Sequence, residues 1–239
     1  MRLRAIWIDR LTISELEGIL SRQSKKHLSS SDDLLFLLKH PPSFSYHKEA
    51  DLKHIKSSLS YPLIKAERGG GVMYHDEGQL VLAPVVKLRE GFGVPEYVYA
   101  LEETMIRVLN ELFSIKGFRI RWSKDGYWKA EDGRPLVLFN NRFLPGIQGV
   151  WVYEGGRPSK IGFLGCKFEG GVVSRGCALN IDPDLREFSK IDPCNLPGIN
   201  VTSVGKLKGM RYEVNCELAK KVAQIFCETM GYEKFLFEA

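Results

Sequence analysis

The sequence lacks the patterns that mark several common protein classes. Its five cysteines, in 239 residues, form no Cys-x-x-Cys pair, which argues against a zinc cluster and is typical of a reduced intracellular compartment. No apolar run approaches the roughly 20 residues that a membrane-spanning helix needs. The first segment contains only a brief apolar stretch, broken by Asp9 and Arg10, so we expect no secretory signal. We therefore expect a cytoplasmic protein, with an organelle as the alternative, and no membrane partner.

The sequence also lacks a basic block with interleaved aromatic residues. The formal net charge is +5 and the isoelectric point is near 8.9. A mild excess of this kind is more typical of a solvated surface than of a nucleic-acid site, and we expect no nucleic-acid partner. An acidic protein partner would suit the charge, because opposite fields speed encounter.

No internal repeat, low-complexity tract or obvious linker divides the chain. Hydrophobic residues make up 44% of the sequence and charged residues 26%, which is ordinary globular composition. A chain of this length can bury a sizeable core. We predict a single domain over residues 1–239, with a small C-terminal appendage as the alternative.

Three segments have the pattern of helices. Ser14–Glu17 resembles a capping box before an apolar stripe. Pro95 opens a strongly amphipathic stretch that runs to Gly117. A last helix is predicted from about Tyr212 to Met230.

Short apolar runs between turn residues predict strands, and the polar stretch Ser24–Asp33 predicts a loop. The predicted strands are Leu34–Leu38, Pro62–Ala66, Leu80–Val86, Arg119–Trp122, Pro135–Phe139, Gly149–Tyr153, Lys160–Cys166 and Cys177–Ile181. Strands and helices do not alternate as regular βαβ units. The pattern therefore favours an α+β fold, with a central mixed or antiparallel sheet flanked by helices.

The most informative segment is the glycine run Arg68–Gln79, which reads RGGGVMYHDEGQ. Three successive glycines suit a sharp bend or a close approach of backbone to a ligand, since glycine has no side chain to bury. The run leads into a strand and matches neither the dinucleotide fingerprint nor the phosphate-binding P-loop. We interpret it as a substrate cradle; the alternative is a glycine-rich hairpin without a ligand.

Cys194 lies in the stiff, turn-rich segment Asp192–Gly198. A cysteine on such a loop can be exposed, and it becomes a nucleophile when a nearby cation or base favours the thiolate. The other four cysteines lie in predicted apolar strands or on the last helix, where the inert interpretation is favoured. For Cys194 both interpretations stay open.

Lys160 begins a predicted apolar strand. A lysine there is usually a solvated strand end, but partial burial would lower its pKa and let it accept a proton. The small residues of Ser174–Asn180 precede another strand and could let an apolar chain lie against backbone.

Taken together, these segments resemble the lipoyl/octanoyl-protein transferases of lipoate biosynthesis, within the biotin/lipoate protein ligase superfamily. The family signature is an RGG-x-x-TYHGPGQ loop, a GVW…KI…G strand, HG-x-ALN and a PCG loop. Here the corresponding stretches read RGGGVMYHDEGQ, GVWV…KIGFLG, RGCALNIDPDL and DPCNLPG. They occur in the family's order over roughly residues 30–205, and the stretch around Tyr127–Gln148 looks like an insertion. The resemblance implies a biotin/lipoate-ligase-like catalytic domain.

Carried over by position, the resemblance makes Cys194 the acyl-thioester nucleophile and Lys160 the residue that favours its thiolate and handles its proton. It implies octanoyl-acyl carrier protein as donor. The acceptors would be lipoyl domains of 2-oxoacid dehydrogenase complexes or the glycine cleavage H protein. No metal or cofactor is implied. The implied substrate-binding residues are Arg68, Gly69, Gly70, Gly71, Val72, Met73, Tyr74, His75, Phe163, Leu164, Gly165, Gly176, Cys177 and Ala178.

Five positions depart from the family pattern and leave acyl length and donor preference open: Met73, Asp76, Glu77, Arg175 and Asn195. Arg175 replaces a typical histidine, and Asn195 replaces the glycine after the cysteine. The sequence HDEG also resembles the HD-x-G of the related lipoate–protein ligases, which activate the acid with ATP and do not need the cysteine. An ATP-dependent ligase and a non-catalytic acyl-binding homologue are therefore the alternatives.

Overall fold

The computed structural model of the protein describes residues 1–27, 32–136 and 144–239. Five α-helices occur in these residues: α1 (Ile13–His27), α2 (Val94–Phe113), α3 (Leu185–Phe188), α4 (Val204–Lys208) and α5 (Cys216–Thr229).

The same residues form sixteen strands. In chain order they are β1 (Arg2–Ile8), β2 (Asp32–Leu38), β3 (Ser43–Tyr46), β4 (Leu63–Lys65), β5 (Met73–His75), β6 (Gln79–Lys87), β7 (Phe118–Trp122), β8 (Trp128–Ala130), β9 (Pro135–Leu136), β10 (Gly149–Glu154), β11 (Arg157–Leu164), β12 (Lys167–Glu169), β13 (Val172–Ser174), β14 (Cys177–Asn180), β15 (Asn200–Val201) and β16 (Lys234–Glu238).

A large mixed sheet forms the centre of the molecule. Its strand order is β16-β1-β2-β6-β14-β11-β10-β7-β8-β9, with the β12–β13 hairpin beside β6 and β15 beside β11. Strands β16, β1 and β2 run parallel, while the pairs from β2 through β9 are antiparallel. A small second sheet has the order β4-β3-β5. The predicted α+β class is confirmed.

Helix α2 forms a core layer behind the strands that carry the site. Leu101, Met105 and Leu109 are buried in one cluster with Val150 of β10 and Ile161 of β11. Pro95 lies in the first turn of α2, as predicted, and the helix ends at Phe113, before the predicted Gly117. This layer holds β10 and β11 from one side.

The N-terminal helix differs from the prediction at both ends. Thr12 and Glu15 make the capping box: the Thr12 amide donates to the Glu15 carboxylate at 2.9 Å, and the Glu15 amide donates to the Thr12 hydroxyl at 3.3 Å. The predicted box at Ser14–Glu17 is therefore wrong by two positions. The predicted loop Ser24–Asp33 is also wrong at its edges, because α1 continues to His27 and β2 begins at Asp32. Residues 28–31 lie outside the described residues.

Both ends of the chain form strands that the sequence patterns did not predict. Strands β1 and β16 pair in parallel, with Arg2 opposite Lys234. The alternation of charged and apolar residues in RLRAIWI was a usable signal for β1. Helix α5 begins at Cys216, later than predicted, because Asn215 caps it by accepting from the Leu218 amide at 3.0 Å. The single-domain assignment stays a prediction.

The stretch that looked like an insertion widens the main sheet. It contributes β8 and β9, followed by a short 3-10 turn at Pro145–Ile147. The predicted strand Pro135–Phe139 is described only over Pro135–Leu136, since residues 137–143 lie outside the described residues.

Candidate active site

Cys194 lies in a tight 3-10 turn, Pro193–Asn195, with left-handed backbone angles. Its φ is 58°, and that of Asn195 is 59°, conformations that ordinary side chains rarely adopt. The Cys194 amide donates to the Val72 carbonyl at 3.2 Å, which ties the turn to the end of the glycine run. We considered that this loop could expose the thiol, but Cys194 is only 8% exposed. Strain at a single buried cysteine is typical of functional sites.

Two glycines permit this turn. A Cβ built at Gly71 would stand 1.9 Å from the Asn195 side-chain oxygen, and one built at Gly146 would stand 2.2 Å from the Cys194 carbonyl oxygen. Both distances are far inside contact, so a larger residue at either position requires the turn to move. The glycine run therefore serves close packing of backbone against the cysteine turn.

Lys160 is the fourth residue of β11 and is fully buried, so of the two interpretations the structure agrees with the buried lysine and not with the solvated strand end. Its ammonium donates to the carbonyl oxygens of Gly146 at 2.9 Å, Ile147 at 3.0 Å and Gln148 at 2.7 Å. An ammonium has three N–H groups, and these three carbonyls use all of them. The Trp151 ring centroid lies 4.8 Å from Nζ.

Burial is the main influence on the protonation of Lys160. It lowers the pKa to about 8 from an ordinary 10.5, while electrostatic interactions with Cys194 and Glu102 act in the opposite direction. A lysine with such a pKa can carry or release a proton near neutral pH. Lys160 and Cys194 both contact Gly146: Lys160 Nζ donates to its carbonyl, and the Cys194 backbone packs against its Cα. The structure therefore brings the two residues into one neighbourhood, although 34 positions separate them (194 − 160).

The pairing of β15 explains how a distant loop returns beside Lys160. Val201 pairs with Lys160 in parallel, and the Thr202 amide donates to the Lys160 carbonyl at 3.0 Å. The segment before β15 carries Cys194, so this pairing anchors the cysteine turn next to β11.

The Arg68 guanidinium connects the glycine run to strand β3 through hydrogen bonds. One of its terminal nitrogens donates to the Ser45 carbonyl at 3.1 Å, the Ser45 hydroxyl at 2.6 Å and the Gly71 carbonyl at 3.0 Å. Burial lowers its pKa, and the electrostatic interactions with Cys194 and Glu17 oppose that shift. Arg68 thus links the small sheet to the loop and places a second cation near the thiol.

Tyr74 and His75 are consecutive on β5, so their side chains lie on opposite faces of the strand. His75 faces inward, where it contacts the Ser45 hydroxyl at 3.1 Å and the Gln79 side chain at 2.9 Å. Burial keeps its pKa well below the ordinary value, so the ring is neutral. Tyr74 packs on the other side against Phe188, and its hydroxyl donates to Asp76 at 3.0 Å. Tyr74 is therefore core rather than cavity wall, contrary to the expectation.

A narrow cavity, which we call the apolar slot, has a volume of about 70 Å³. The predicted residues that line it are Arg68, Met73, His75, Phe163, Leu164, Gly165, Gly176, Cys177 and Ala178. Most of the residues that line it are apolar. The slot is therefore suited to an apolar chain.

A wider cavity, which we call the mouth cavity, opens beside the slot with a volume of about 360 Å³. Gly69, Gly70, Gly71 and Cys194 line it, while Leu164 and Gly165 line both cavities. The Cys194 thiol lies 3.5 Å from the Met73 sulfur, and Met73 lines the slot. The thiol therefore lies in the mouth cavity and contacts a residue of the slot wall. Val72 is buried in the core with Tyr74, and its carbonyl positions the turn.

Several lining residues were not predicted, because their local patterns are explained equally well by ordinary helix or strand cores. In the slot these are Ile13, Leu16, Glu17, His40, Ser45, Ala66, Val81, Leu82, Ala83 and Arg175. In the mouth cavity they are Val98, Leu144, Gly146, Gln148, Cys166, Phe168 and Asn195. Asn195 and Arg175 were identified from the sequence as departures from the family pattern but not as site residues. Among the described residues the Asn195 Oδ1 is buried without a hydrogen-bond partner.

Two other cysteines lie near the site and differ from Cys194 in their surroundings. Burial raises the pKa of Cys166 to about 12 and that of Cys177 well above the ordinary value. Both stay protonated near neutral pH and are poor nucleophiles.

Two departures from the family pattern lie away from the cavities. The Asp76 carboxylate accepts from the amides of Gly78 and Asp184, both at 2.8 Å, so it closes a turn. Glu77 is exposed and pairs with Arg10 at 3.0 Å. Of the five departures, Met73, Arg175 and Asn195 are those that line a cavity.

The described residues contain neither a cluster suited to a metal ion nor a helix suited to spanning a membrane. No group of three histidine, cysteine, aspartate or glutamate residues in the described ranges could hold a metal ion. None of the described helices combines the length and apolar character that crossing a bilayer requires.

Comparisons with known proteins agree on one family. The Lipoyl protein ligase A/B catalytic domain matches residues 15–226. An octanoyltransferase of Desulfotalea psychrophila is 34% identical over 206 residues, covering 83% of this chain and 80% of the relative. An octanoyltransferase of Shewanella frigidimarina is 30% identical over 209 residues, covering 87% and 82%.

Solved structures show the same fold. The crystal structure of lipoate-protein ligase A bound with ATP superposes with a TM-score of 0.68 at 16% identity, covering 100% of this chain and 89% of that chain. The expected lipoate-ligase-like architecture is confirmed.

Proposed function

Because the chain belongs to the lipoyl protein ligase A/B catalytic domain family, we propose that it transfers octanoyl groups in protein lipoylation, through a thioester on Cys194. The proposed donor is octanoyl-acyl carrier protein. The proposed acceptor is a lysine of a lipoyl domain of the 2-oxoacid dehydrogenase complexes or of the glycine cleavage H protein. The names of the curated relatives support octanoyl transfer itself.

One observation carries the proposal. The Cys194 thiol lies in the mouth cavity and contacts Met73 of the adjoining apolar slot, with the buried ammonium of Lys160 close by. A cation in a dry site favours the thiolate, which is the nucleophilic form. The slot would hold the acyl tail while the mouth receives the arm of the carrier or the acceptor lysine.

The proposed chemistry has two halves. The Cys194 thiolate attacks the thioester carbonyl, the bond to the carrier sulfur breaks, and the carrier leaves as a thiol after taking up one proton. The neutral amine of the acceptor lysine then attacks the enzyme thioester, the bond to Cys194 sulfur breaks, and the amide forms with loss of one proton. Splitting the transfer in this way lets two protein substrates use one mouth in turn.

Lys160 has two roles in this scheme. Its positive charge stabilises the thiolate, and its lowered pKa suits it to exchange the protons of the two half-reactions. All three of its N–H groups contact carbonyls of residues 146–148, so proton exchange requires one of those contacts to open.

The developing oxyanion needs amide donors. The Cys194 amide donates to the Val72 carbonyl at 3.2 Å, and the Gly165 amide donates to the Gly176 carbonyl at 2.8 Å, so neither is free to bind the oxyanion. We therefore assign the role to the amides of Gly70 and Gly71, which line the mouth cavity.

The deciding experiment is incubation with octanoyl-acyl carrier protein in the absence of ATP, followed by intact mass measurement. We expect one octanoyl group on the wild-type chain. Cys194→Ser should abolish thioester formation and octanoyl transfer, while Cys166→Ser, a matched change at a cysteine of the same cavity, should retain both.

The alternatives give different results in the same experiment. Labelling of the acceptor only with ATP and the free acid would identify a ligase. Absence of any covalent change, with binding retained, would identify a non-catalytic acyl-binding protein. Full octanoyl transfer by Cys194→Ser would exclude Cys194 as the nucleophile. The expected cytoplasmic compartment stays a prediction.

A further inference from the structure

An ion pair forms part of the wall of the apolar slot. The Arg175 guanidinium donates to both carboxylate oxygens of Glu17, with an Nε–Oε1 distance of 3.0 Å, and to the Ser174 hydroxyl at 2.9 Å. Arg175 is 7% exposed and the Glu17 side chain 19%, so the guanidinium is buried and the carboxylate is partly buried. Glu17 also accepts from the Glu67 amide at 3.2 Å. The pair thus joins helix α1, the link between β13 and β14, and the residue before Arg68.

Arg175 adopts a backbone conformation that an arginine rarely takes. Its φ is 63°, in the left-handed region. The bidentate contact with Glu17 holds the Arg175 side chain in the wall of the slot. Because a bidentate arginine–carboxylate pair has a defined geometry, it gives this part of the cavity wall a fixed shape.

The same two residues line a second space on the far side. This outer cavity has a volume of about 390 Å³ and is lined by polar residues that include Ser21, Lys25 and Lys167. Glu17 and Arg175 belong to the lining of both the slot and the outer cavity. The ion pair is therefore a partition between them.

The wall next to this partition is apolar. Ile13, Leu16 and Ala178 line the slot together with the ion pair. A chain lying in the slot would contact the guanidinium and the carboxylate. A longer chain would have to separate the two charges, and an unpaired charge in a dry site is costly.

We propose that the Arg175–Glu17 ion pair is the stop that sets the acyl length the slot accepts, and that opening it joins the slot to the outer cavity and admits longer chains. This inference rests on the proposed function, since it assumes that the slot holds the acyl chain. It assigns a specificity role to the position where the sequence departs from the family's usual histidine.

The test compares octanoyl and dodecanoyl donors in thioester formation on the full chain. We expect Arg175→Asn to raise the ratio of dodecanoyl to octanoyl acylation rates by about tenfold or more, because discrimination between chain lengths is lost. Asparagine tolerates a positive φ and is too short to bridge to Glu17, so the variant should fold. Glu17→Ala should shift the ratio in the same direction. Arg10→Ala, which removes a cation from an exposed ion pair near the start of α1, is the control and should leave the ratio unchanged.

A second measurement separates this inference from the proposed function. Titration calorimetry with free octanoic and dodecanoic acids reports the length preference of the slot without any transfer. We expect Arg175→Asn to gain affinity for dodecanoic acid relative to octanoic acid. Unchanged length preference in both assays for a folded Arg175→Asn chain would overturn the stop. Absence of a Cys194 thioester in the wild type, with the calorimetric preference still shifted in the variant, would overturn the proposed function and leave the stop intact.

Discussion

Gly146 lies directly against Cys194: a Cβ at position 146 would stand 2.2 Å from the Cys194 carbonyl oxygen and 3.0 Å from its Cβ. The carbonyl of the same glycine accepts a hydrogen bond from Lys160 at 2.9 Å. Gly146, which has no side chain, therefore lies between the cysteine turn and the Lys160 ammonium. Substitutions at and around Gly146 test this arrangement.

Gly146→Ala should displace the cysteine turn. We expect a loss of about 1–3 kcal/mol in the free energy of unfolding, the usual range for overpacking, and slower thioester formation. Denaturant unfolding and intact mass after timed acylation measure the two effects. Gly18→Ala, in helix α1 with its nearest neighbour atom at 3.5 Å, is the control and should keep full acylation. Normal acylation by Gly146→Ala would contradict the close packing.

Lys160→Met should change how stability depends on pH. The pKa of Lys160 is lowered on folding from 10.5 to about 8, so between these values the unfolded chain binds the proton more tightly. The lysine's contribution to stability therefore rises as pH increases through this window, is complete above it, and is lost below about pH 8. The difference in unfolding free energy between wild type and Lys160→Met should change by about 3 kcal/mol across the window.

Lys220→Met, at an exposed position of α5, should show no such change in the same denaturant titrations. A pH-independent difference between wild type and Lys160→Met would mean that Lys160 does not titrate in this range.

The rate of thioester formation should fall as pH rises through about 8. Above that pH Lys160 loses the charge that stabilises the thiolate. Lys160→Arg keeps the charge at every accessible pH but does not exchange protons, so it should react more slowly and lose this alkaline decline. Stopped-flow acylation across the pH range provides the measurement, and an identical pH profile in Lys160→Arg would refute the assignment.

Glu102→Gln should be strongly destabilising. The Glu102 carboxylate is fully buried, accepts from the Gly149 amide at 2.8 Å and pairs with Arg119 and Arg121. Removing its charge takes a carboxylate partner from the buried Arg119 guanidinium, and we expect a loss of about 3–5 kcal/mol. The neighbouring Glu103 is 34% exposed, so Glu103→Gln should lose much less. Equal effects of the two substitutions in thermal unfolding would show that burial of Glu102 does not matter.

Much of the local structure follows from short sequence patterns. The apolar run Leu34–Leu38 became the core of β2, and Leu80–Val86 became that of β6, because continuous apolar residues bury both faces of a central strand. Pro95 and its periodic apolar stripe gave α2. Strands such as β3 and β15 have two to four residues, too few for a periodicity to be read.

The sequence predicted part of the site's geometry, while the roles of its residues stay predictions. The motifs identified Cys194, Lys160 and the glycine run as neighbours, and the structure places them together. They did not indicate that Tyr74 turns away from the cavity, nor that Arg175 meets Glu17, 158 positions earlier. Those relations depend on which face of a strand is buried and on contacts between remote segments.

By itself, the sequence determined where the chain turns, which runs are buried and which residue types could do acyl chemistry, because these depend on local sterics and on hydrophobicity. Only the tertiary structure decided that three carbonyls hold Lys160, that a glycine separates it from Cys194, and that an ion pair forms part of the slot wall. The reason is physical: a buried charge takes its pKa and its partners from groups that packing brings together from distant parts of the chain.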